Sequence, residues 1–424
     1  MKLSARVVIN IIRTTTLLVA PLFCGQSAGA ATETEKIIYT FTGGANGAHP
    51  YSELLLDKAG NLFGTTSSGG GIGVCNGLPG CGTVFELSPS SSGWTEKTIY
   101  TFTGSADGGF PLGGVVMDKS GNLYGTAQGA GGASYCGTVI ELTPSAEGEW
   151  TETTLYSFNG YNEGGDGCSP RATLTLDANG NIYGTTGSGG PFNDGTVFEL
   201  LPPSAPGGAW TETVLLSFDG TDGDTPTGSV VFDNAGNLYG TTDSGGSFNW
   251  GSVFKLTPTS GSWSATSIFS FTSGDNGCNP NGGVVFDKAG NLYGTTDWCG
   301  ADEVGTVFKL TPTVGQWTMS RLHTFTGAID GAEPYAGLTL DPQGNIYGAT
   351  FLGGLFGEGV AFKLTRKSGK WAESEYSFRG GADGTNPYAA PTLGQAALFG
   401  TTVYGGAATM GTVYMITSGT PTAP

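Results

Sequence analysis

Charged side chains are scarce in this chain, and basic ones most of all. Of its 424 residues 12% are charged, with 17 Lys and Arg against 35 Asp and Glu, so the formal net charge is −18. Proteins that bind nucleic acids neutralise phosphates with clustered Lys and Arg. The three basic residues Arg366, Lys367 and Lys370 are the one small cluster here, so we expect no nucleic-acid partner.

Histidine and the common catalytic motifs are also missing or rare. His49 and His323 are the two histidines, and beyond the first thirty residues no GxSxG, HExxH or CxxC motif occurs. Nucleophilic triads and zinc peptidase sites depend on such motifs, so we assign no catalytic residue. His323 stands where other copies of the repeat described below have Tyr, which predicts a structural role, whereas His49 is a candidate for a central channel.

Long apolar runs are absent beyond the first thirty residues, so we predict no membrane span, which needs about 20 apolar residues. Near the start, Lys2, Arg6 and Arg13 precede the apolar stretch 17–23 and small residues ending at Ala30. This order is typical of a secretory signal peptide. We therefore predict that residues 1–30 are cleaved near Ala30 and that the protein is secreted or extracellular, with the periplasm as the alternative.

Glycine, by contrast, is abundant and periodic, with 76 residues. An aromatic-Gly step recurs seven times at spacings that fall from 61 to 52 residues, ending at Gly64, Gly125, Gly184, Gly240, Gly294, Gly348 and Gly400. Each copy contains four strand-like runs: an apolar run ending in Asp, GNLYGTT, GTVFKLTP, and a Trp-led run ending in Phe. Such repeats of about 40–60 residues are typical of propeller blades. We predict one all-β domain over residues 31–416, a seven-bladed β-propeller of four-stranded blades, with a short flexible tail at 417–424.

The seventh copy lacks its fourth strand, because the chain ends soon after Ile416. The missing strand stands at the other end, where TEKIIYTF (34–41) matches the closing runs TEKTIYTF and TETTLYSF. Unpaired strands at both termini would leave two open sheet edges. We therefore predict that the N-terminal strand pairs into the last blade and closes the ring.

A DxxGN element follows the first run in six copies and predicts a tight turn, in which Asp bonds the backbone and Gly accepts positive φ. These motifs, in order over about residues 35–416, resemble the GloVer tandem repeat family of secreted bacterial propellers. More distantly, the DxxGNLY strand pair is similar to that of NHL and gluconolactonase propellers. The resemblance implies the fold and export, and it implies no particular activity. The chain departs from the pattern in the seventh copy, which lacks DxxGN, and in showing no recognisable C-terminal anchor.

Strand order places all the long loops on one face, which we call the loop face. Its inter-blade loops carry Asp or Asn before Gly and shortly before Pro, and calcium takes such oxygen ligands. The candidate metal ligands are Asp107, Asp166, Asp222, Asp224, Asp330 and Asp383. The alternative is that each Asp bonds its own turn. Calcium is the only cofactor that we consider.

Gly-rich loops on the same face carry aromatic residues beside acidic ones. The candidate ligand-binding residues are Phe192, Phe248, Trp250, Trp298, Asp243 and Asp297, with Phe351 and Phe356 as further aromatics. Exposed rings beside carboxylates suit carbohydrate, although the rings could instead fill gaps over the blades. We predict a monomeric binding or surface-interaction propeller whose partner is a glycan or cell-surface component. The alternative is a calcium-dependent hydrolase or lactonase at the channel mouth of the same face.

Six cysteines remain after loss of the predicted signal peptide, an even number that suggests disulfides in an exported protein. From the loops that hold them we expect the pairs Cys75–Cys81, Cys136–Cys168 and Cys278–Cys299. Spacing alone leaves other pairings open.

Overall fold

Seven four-stranded antiparallel sheets follow one another around a central channel in the computed structural model, which describes residues 33–75, 77–130, 135–160, 165–205 and 207–418. In blades 1 to 6 the first strand of each sheet in the chain lies innermost and the fourth outermost. This is the predicted β-propeller. The predicted signal peptide (1–30), Cys24 and the end of the predicted tail lie outside the described residues.

The strands of each blade are short and regular. Those of blades 1 and 2 are Leu55–Leu56, Leu62–Thr66, Thr83–Ser90 and Gly93–Thr101, then Val116–Met117, Leu123–Ala127, Thr138–Pro144 and Trp150–Ser157. Those of blades 3 and 4 are Thr175–Leu176, Ile182–Thr186, Thr196–Leu201 and Thr211–Ser217, then Val231–Phe232, Leu238–Thr242, Ser252–Thr259 and Ser262–Ser270. Those of blades 5 and 6 are Val285–Phe286, Leu292–Thr296, Thr306–Thr313 and Gln316–Thr324, then Thr339–Leu340, Ile346–Thr350, Val360–Lys367 and Lys370–Ser377. Outside the blades, the described residues also form a two-stranded ribbon, Val74–Cys75 with Leu78–Pro79. Two single-turn 3-10 helices lie at Gly274–Asn276 and Gly381–Asp383.

Blade 7 joins the two ends of the chain. Its inner strands are Thr392–Leu393, Ala397–Thr402 and Thr412–Ser418, and its outer strand is Glu33–Thr40. The outer strand is antiparallel to Thr412–Ser418, with Glu35 opposite Ile416. The predicted closure by the N-terminal strand is confirmed, and the last strand extends two residues past the predicted end of the propeller.

The innermost strands are shorter than the sequence predicted. GGVVFD was expected to form a strand throughout, yet only Val285–Phe286 pairs with its neighbour. The preceding glycines contact other blades instead: a Cβ on Gly282 would lie 2.4 Å from the Gly337 nitrogen. The hydroxyl of Thr241 also donates to the Gly282 carbonyl at 2.9 Å. The backbone here is therefore used for contact between blades around the channel.

A fully buried Phe ends each outer strand and packs between blades. These residues are Phe41, Phe102, Phe158, Phe218, Phe271, Phe325 and Phe378. Phe218, for example, meets Phe254 edge to face with ring centroids 5.2 Å apart. Gly240, the glycine of LYGTT in blade 4, lies against the ring of Phe254. A Cβ at this position would be 2.5 Å from Cζ of Phe254, so the packing requires glycine. The repeated Phe and Gly are thus packing residues.

The DxxGN elements form the predicted turns. In blade 4, Asp233 Oδ1 accepts hydrogen bonds from the backbone of Ala235 and Asn237, both at 2.9 Å, and Oδ2 accepts from Asn237 Nδ2 at 2.7 Å. Burial alone would raise the pKa of Asp233, but these bonds outweigh it and the pKa is lowered. The repeated Asp is a turn residue.

The three predicted disulfides are present, with Cα separations of 5.3 Å for Cys75–Cys81, 4.4 Å for Cys136–Cys168 and 5.4 Å for Cys278–Cys299. All join segments of the loop face, and such bonds persist in oxidising compartments. Within the described residues, no helix is long and apolar enough to cross a membrane.

Candidate functional site at the channel mouth

The central channel opens on the loop face into a cavity of about 490 Å³. Its lining includes the three residues that follow the repeated Pro in every copy: 51–53, 112–114, 171–173, 227–229, 281–283, 335–337 and 388–390. Each segment enters the innermost strand of its blade, so closure of the ring brings seven distant stretches together. We call this cavity and the side chains directly beside its lining the channel mouth, and we call the exposed loop tips around it the rim.

The residue directly after Pro differs in chemistry from blade to blade. Around the ring this position holds Tyr51, Leu112, Arg171, Thr227, Asn281, Tyr335 and Tyr388. Hydrogen-bonding side chains enter from blades 3 to 5, and aromatic side chains from blades 6, 7 and 1. The seven-fold scaffold therefore carries an asymmetric site.

The aromatic side is a packed cluster. The rings of Tyr335 and Tyr388 stack with centroids 5.4 Å apart and an interplanar angle of 18°. Phe351 meets Tyr335 edge-on at 5.5 Å, and Tyr51 meets Tyr388 edge-on at 5.2 Å. Burial raises the pKa of Tyr388, so its phenol stays neutral and can donate. This cluster, which we call the aromatic wall, offers flat apolar surface with hydroxyls attached.

The polar side presents a cation and an amide. The guanidinium of Arg171 lies directly beside Gly187, where a Cβ would be 3.4 Å from Nε, an ordinary van der Waals contact. Thr227 Oγ1 donates to the carbonyl oxygen of Asn281 at 2.8 Å and lies 3.1 Å from its Oδ1. These bonds hold the amide in place at the cavity wall.

Two carboxylates lie beside these polar residues, at the ends of the second strands of blades 4 and 5. Burial, and then the charge of Asp243, raise the pKa of Asp297 to about 8, against a hydrogen bond from Asn281 that lowers it. Burial also raises the pKa of Asp243, and the charge of Arg171 opposes that rise. At neutral pH Asp297 therefore holds a proton. The structure thus places both predicted acidic residues at the channel mouth.

Two buried polar atoms at the mouth have no hydrogen-bond partner among the described residues. They are Nε of Arg171, which is a donor, and Oδ1 of Asp297. Buried polar atoms are nearly always paired in native proteins, by protein or by bound molecules. Their position next to one cavity indicates that a polar ligand or solvent completes the site.

The residue before the repeated Pro adopts a left-handed backbone in all seven copies. These residues have φ between 56° and 61°: His49, Phe110, Ser169, Thr225, Asn279, Glu333 and Asn386. Non-glycine residues seldom adopt this conformation, and such strain clusters at functional sites. Asn279 Nδ2 donates to the carbonyl of Asp243 at 2.9 Å, and Tyr335 OH donates to Glu333 at 3.0 Å. Side chains at two of these left-handed positions, Asn279 and Glu333, thus contact the backbone of Asp243 and the hydroxyl of Tyr335 at the channel mouth.

The candidate metal ligands occupy five separate loops, with Asp222 and Asp224 in the same one, and most of them accept hydrogen bonds within their own loop. Asp107 accepts from the backbone of Thr103 at 2.7 Å and from Tyr100 OH at 2.9 Å. The backbone bond recurs in the loops of Asp166, Asp330 and Asp383. Asp222 accepts from the backbone of Asp219 at 3.3 Å, and Asp224 accepts from Ser244 Oγ at 3.0 Å. In the described parts of the chain, Asp330 alone of these belongs to a group of three residues with metal-ligand atoms within 4.8 Å.

Most of the predicted aromatic ligand residues lie on the rim. Phe192, Phe248, Trp250, Trp298 and Phe356 are between 40% and 60% exposed and are not part of the cavity wall. Phe351 belongs instead to the aromatic wall. His49 lies at the rim, with Nδ1 2.9 Å from Ser68 Oγ and its ring beside Tyr404.

Sequence reasoning missed Arg171, Asn281, Tyr335 and Tyr388. Each stands alone in its own repeat, more than fifty residues from the next. The signal that could have found them is the position after Pro, where otherwise regular copies differ in chemical type.

The fold and the channel mouth define a seven-bladed β-propeller with a cavity on its axis. The chain belongs to the Gloeobacter/Verrucomicrobia repeat family, whose model matches residues 26–227 and 204–414. No match was found among curated proteins.

Two solved structures are similar to this chain at low identity. PorZ, a surface component of the type-IX secretion system of Porphyromonas gingivalis, is 14% identical with a TM-score of 0.54 over 89% of this chain and 48% of that one. The chain thus spans about half the length of PorZ. A candidate 6-phosphogluconolactonase from Bacteroides uniformis is 13% identical with a TM-score of 0.49, over 77% of this chain and 85% of that one. At these identities the likeness concerns the fold alone.

Proposed function

We propose that this protein is an exported binding propeller that takes a hydroxyl-rich ligand, carbohydrate in the first instance, at the channel mouth. The observation that carries the proposal is the pairing, in one cavity, of an aromatic wall with buried hydrogen-bonding groups that lack partners. Sugars present both apolar C–H faces and hydroxyls, and sites for them combine aromatic rings with a few placed polar groups.

The charge pattern supports a neutral polyol over an anion. Arg171 is the one cationic residue in the cavity wall, and Asp243 and Asp297 lie close to it. An anionic ligand would meet these carboxylates, whereas a hydroxyl can donate to Asp243 and accept from Arg171. A protonated Asp297 adds a donor that an ionised carboxylate would lack.

The test is a glycan-array screen of the mature protein, followed by calorimetric titration of the best ligand. Tyr388→Ala and Asp297→Ala, both at the mouth, should each weaken binding about tenfold, the effect of losing about 1.4 kcal/mol. Trp298→Ala on the rim is the matched control and should change affinity less than twofold. Circular dichroism and melting temperatures establish that each variant is folded.

Two outcomes would contradict the proposal. One is the absence of saturable binding to any glycan. The other is full binding by Tyr388→Ala and Asp297→Ala with loss of binding in Trp298→Ala, which would move the site to the rim aromatics.

Hydrolysis of a lactone or glycoside at the same mouth is the second candidate. One observation favours it: burial keeps Asp297 protonated, whereas the charge of Arg171 favours the ionised form of Asp243. A protonated and an ionised carboxyl group can act as the general acid and the general base of one reaction. Turnover of lactones and aryl glycosides that is lost in Asp297→Asn, with binding retained, would establish it. Rates equal to those of buffer in the wild type would exclude those substrates.

A further inference from the structure

A second group of chemically versatile side chains lies away from the channel, at the junction of blades 5 and 6. His323 is on the outer strand of blade 5, Asp330 in the loop leaving it, and Glu373 on the outer strand of blade 6. His323 Nε2 lies 3.5 Å from Asp330 Oδ2 and 3.4 Å from Glu373 Oε2. Within the described residues, this is the one group of three His, Cys, Asp or Glu with ligand atoms within 4.8 Å of one another.

Four of the other six outer strands carry Tyr in place of His323, and the remaining two carry Leu216 and Phe269. Between blades 6 and 7, Tyr376 OH donates to Asp383 at 2.9 Å and lies 3.3 Å from Glu35. There the phenol bridges the two carboxylates directly. Imidazole is shorter than phenol, and at His323 neither carboxylate lies within the usual length of a hydrogen bond.

The His323 group is incompletely paired. Nε2 of His323 and Oε1 of Glu373 are both buried without a hydrogen-bond partner among the described residues. A neutral imidazole with two carboxylates carries a charge of −2, and a divalent cation would neutralise it.

The spacing also fits a particular class of ion. Zinc is usually tetrahedral, with nitrogen and oxygen ligands about 2.1 Å away, which places ligand atoms about 3.4 Å from one another. Both measured separations match this value. We infer that His323, Asp330 and Glu373 form a binding site for a divalent transition metal of the zinc type, which fastens blade 5 to blade 6.

This site is independent of the channel mouth and of its ligand. Asp330 is also anchored, because its carboxylate accepts from Thr326 N at 2.9 Å and from Thr326 Oγ1 at 2.6 Å. Such outer bonds orient a metal-binding carboxylate. The site therefore rests on a fixed loop and two strands, and its expected effect is on stability.

The test uses tag-free mature protein stripped with EDTA and titrated with zinc by calorimetry, with the visible spectrum of a cobalt titration as a second readout. We expect one zinc per chain, a rise of several degrees in melting temperature, and the absorption bands of tetrahedral cobalt. His323→Tyr introduces the side chain that four of the other outer strands carry at this position. It should fold, lose the zinc response and show no such bands.

Glu373→Gln provides a second variant, which keeps the shape and removes a ligand charge. It should weaken zinc binding at least tenfold. The inference is overturned if the wild type shows no saturable one-to-one binding, or if both variants bind zinc as the wild type does. Should His323→Tyr fail to fold, Glu373→Gln decides between these results.

Discussion

Phe41 provides the sharpest test of how the ring is closed. It lies just past the N-terminal strand, is fully buried, and packs edge to face on Phe85 with ring centroids 5.1 Å apart. Phe218 holds the same position between blades 3 and 4, where no chain terminus is involved. If the N-terminal strand is a true part of blade 7, the two residues should contribute equally to stability.

The expected magnitude follows from the burial. Replacing a fully buried Phe by Ala costs about 3–5 kcal/mol. The entropy of unfolding is about 2.1 cal/mol/K per residue, or about 0.8 kcal/mol/K for roughly 390 ordered residues, so the melting temperature should fall by about 4–6 °C. Phe41→Ala and Phe218→Ala should shift it by similar amounts in differential scanning calorimetry and in urea unfolding.

One result would refute this reasoning. Phe41→Ala would then have the melting temperature of the wild type, while that of Phe218→Ala would be several degrees lower. In that case the N-terminal strand is not needed for stability, and other contacts hold the ring closed.

Two further predictions concern pH and disulfides. Burial, and then Asp166, raise the pKa of Glu212 to about 7. Between about pH 4.5 and pH 7 the carboxyl group of Glu212 is therefore protonated in the folded state and ionised in the unfolded state. Stability should fall as pH rises through this window, by roughly 1–2 kcal/mol after allowance for solvent screening, and urea unfolding of Glu212→Gln should lack that part of the slope. Removing the 136–168 disulfide, with a sequence separation of 32, should cost about 3–4 kcal/mol, against about 2 for the 75–81 disulfide, with a separation of 6. Equal costs measured by urea unfolding of the paired Cys→Ala variants would contradict the loop-entropy argument.

The fold was predictable because its determinants are local and repeated. The Asp of DxxGN bonds residues two and four positions further on, and the Phe ending each outer strand fills the same place seven times. The N-terminal run TEKIIYTF could be assigned to blade 7 because it matches the other outer strands. The extent of the innermost strands was not predictable. Gly282, for example, contacts a neighbouring blade and does not pair with the second strand of its own blade.

The site was predictable only in part, because it is assembled across blades. Asp243 and Asp297 were identified because they lie beside aromatic residues in the Gly-rich loops. Arg171 and Tyr388 were not, since each is a single residue whose partners lie on other repeats. His323 was expected to be a structural residue, and only the folded ring shows that the carboxylate of Glu373, 50 residues away, lies beside it.

The most direct measurement is a crystal structure of the mature protein soaked with mixed oligosaccharides. We predict sugar density in the channel mouth, with a ring against Tyr388 or Tyr335 and hydroxyls bonded to Arg171 and Asp297. Density confined to the rim over Trp250 and Trp298, or none at saturating ligand, would contradict the account.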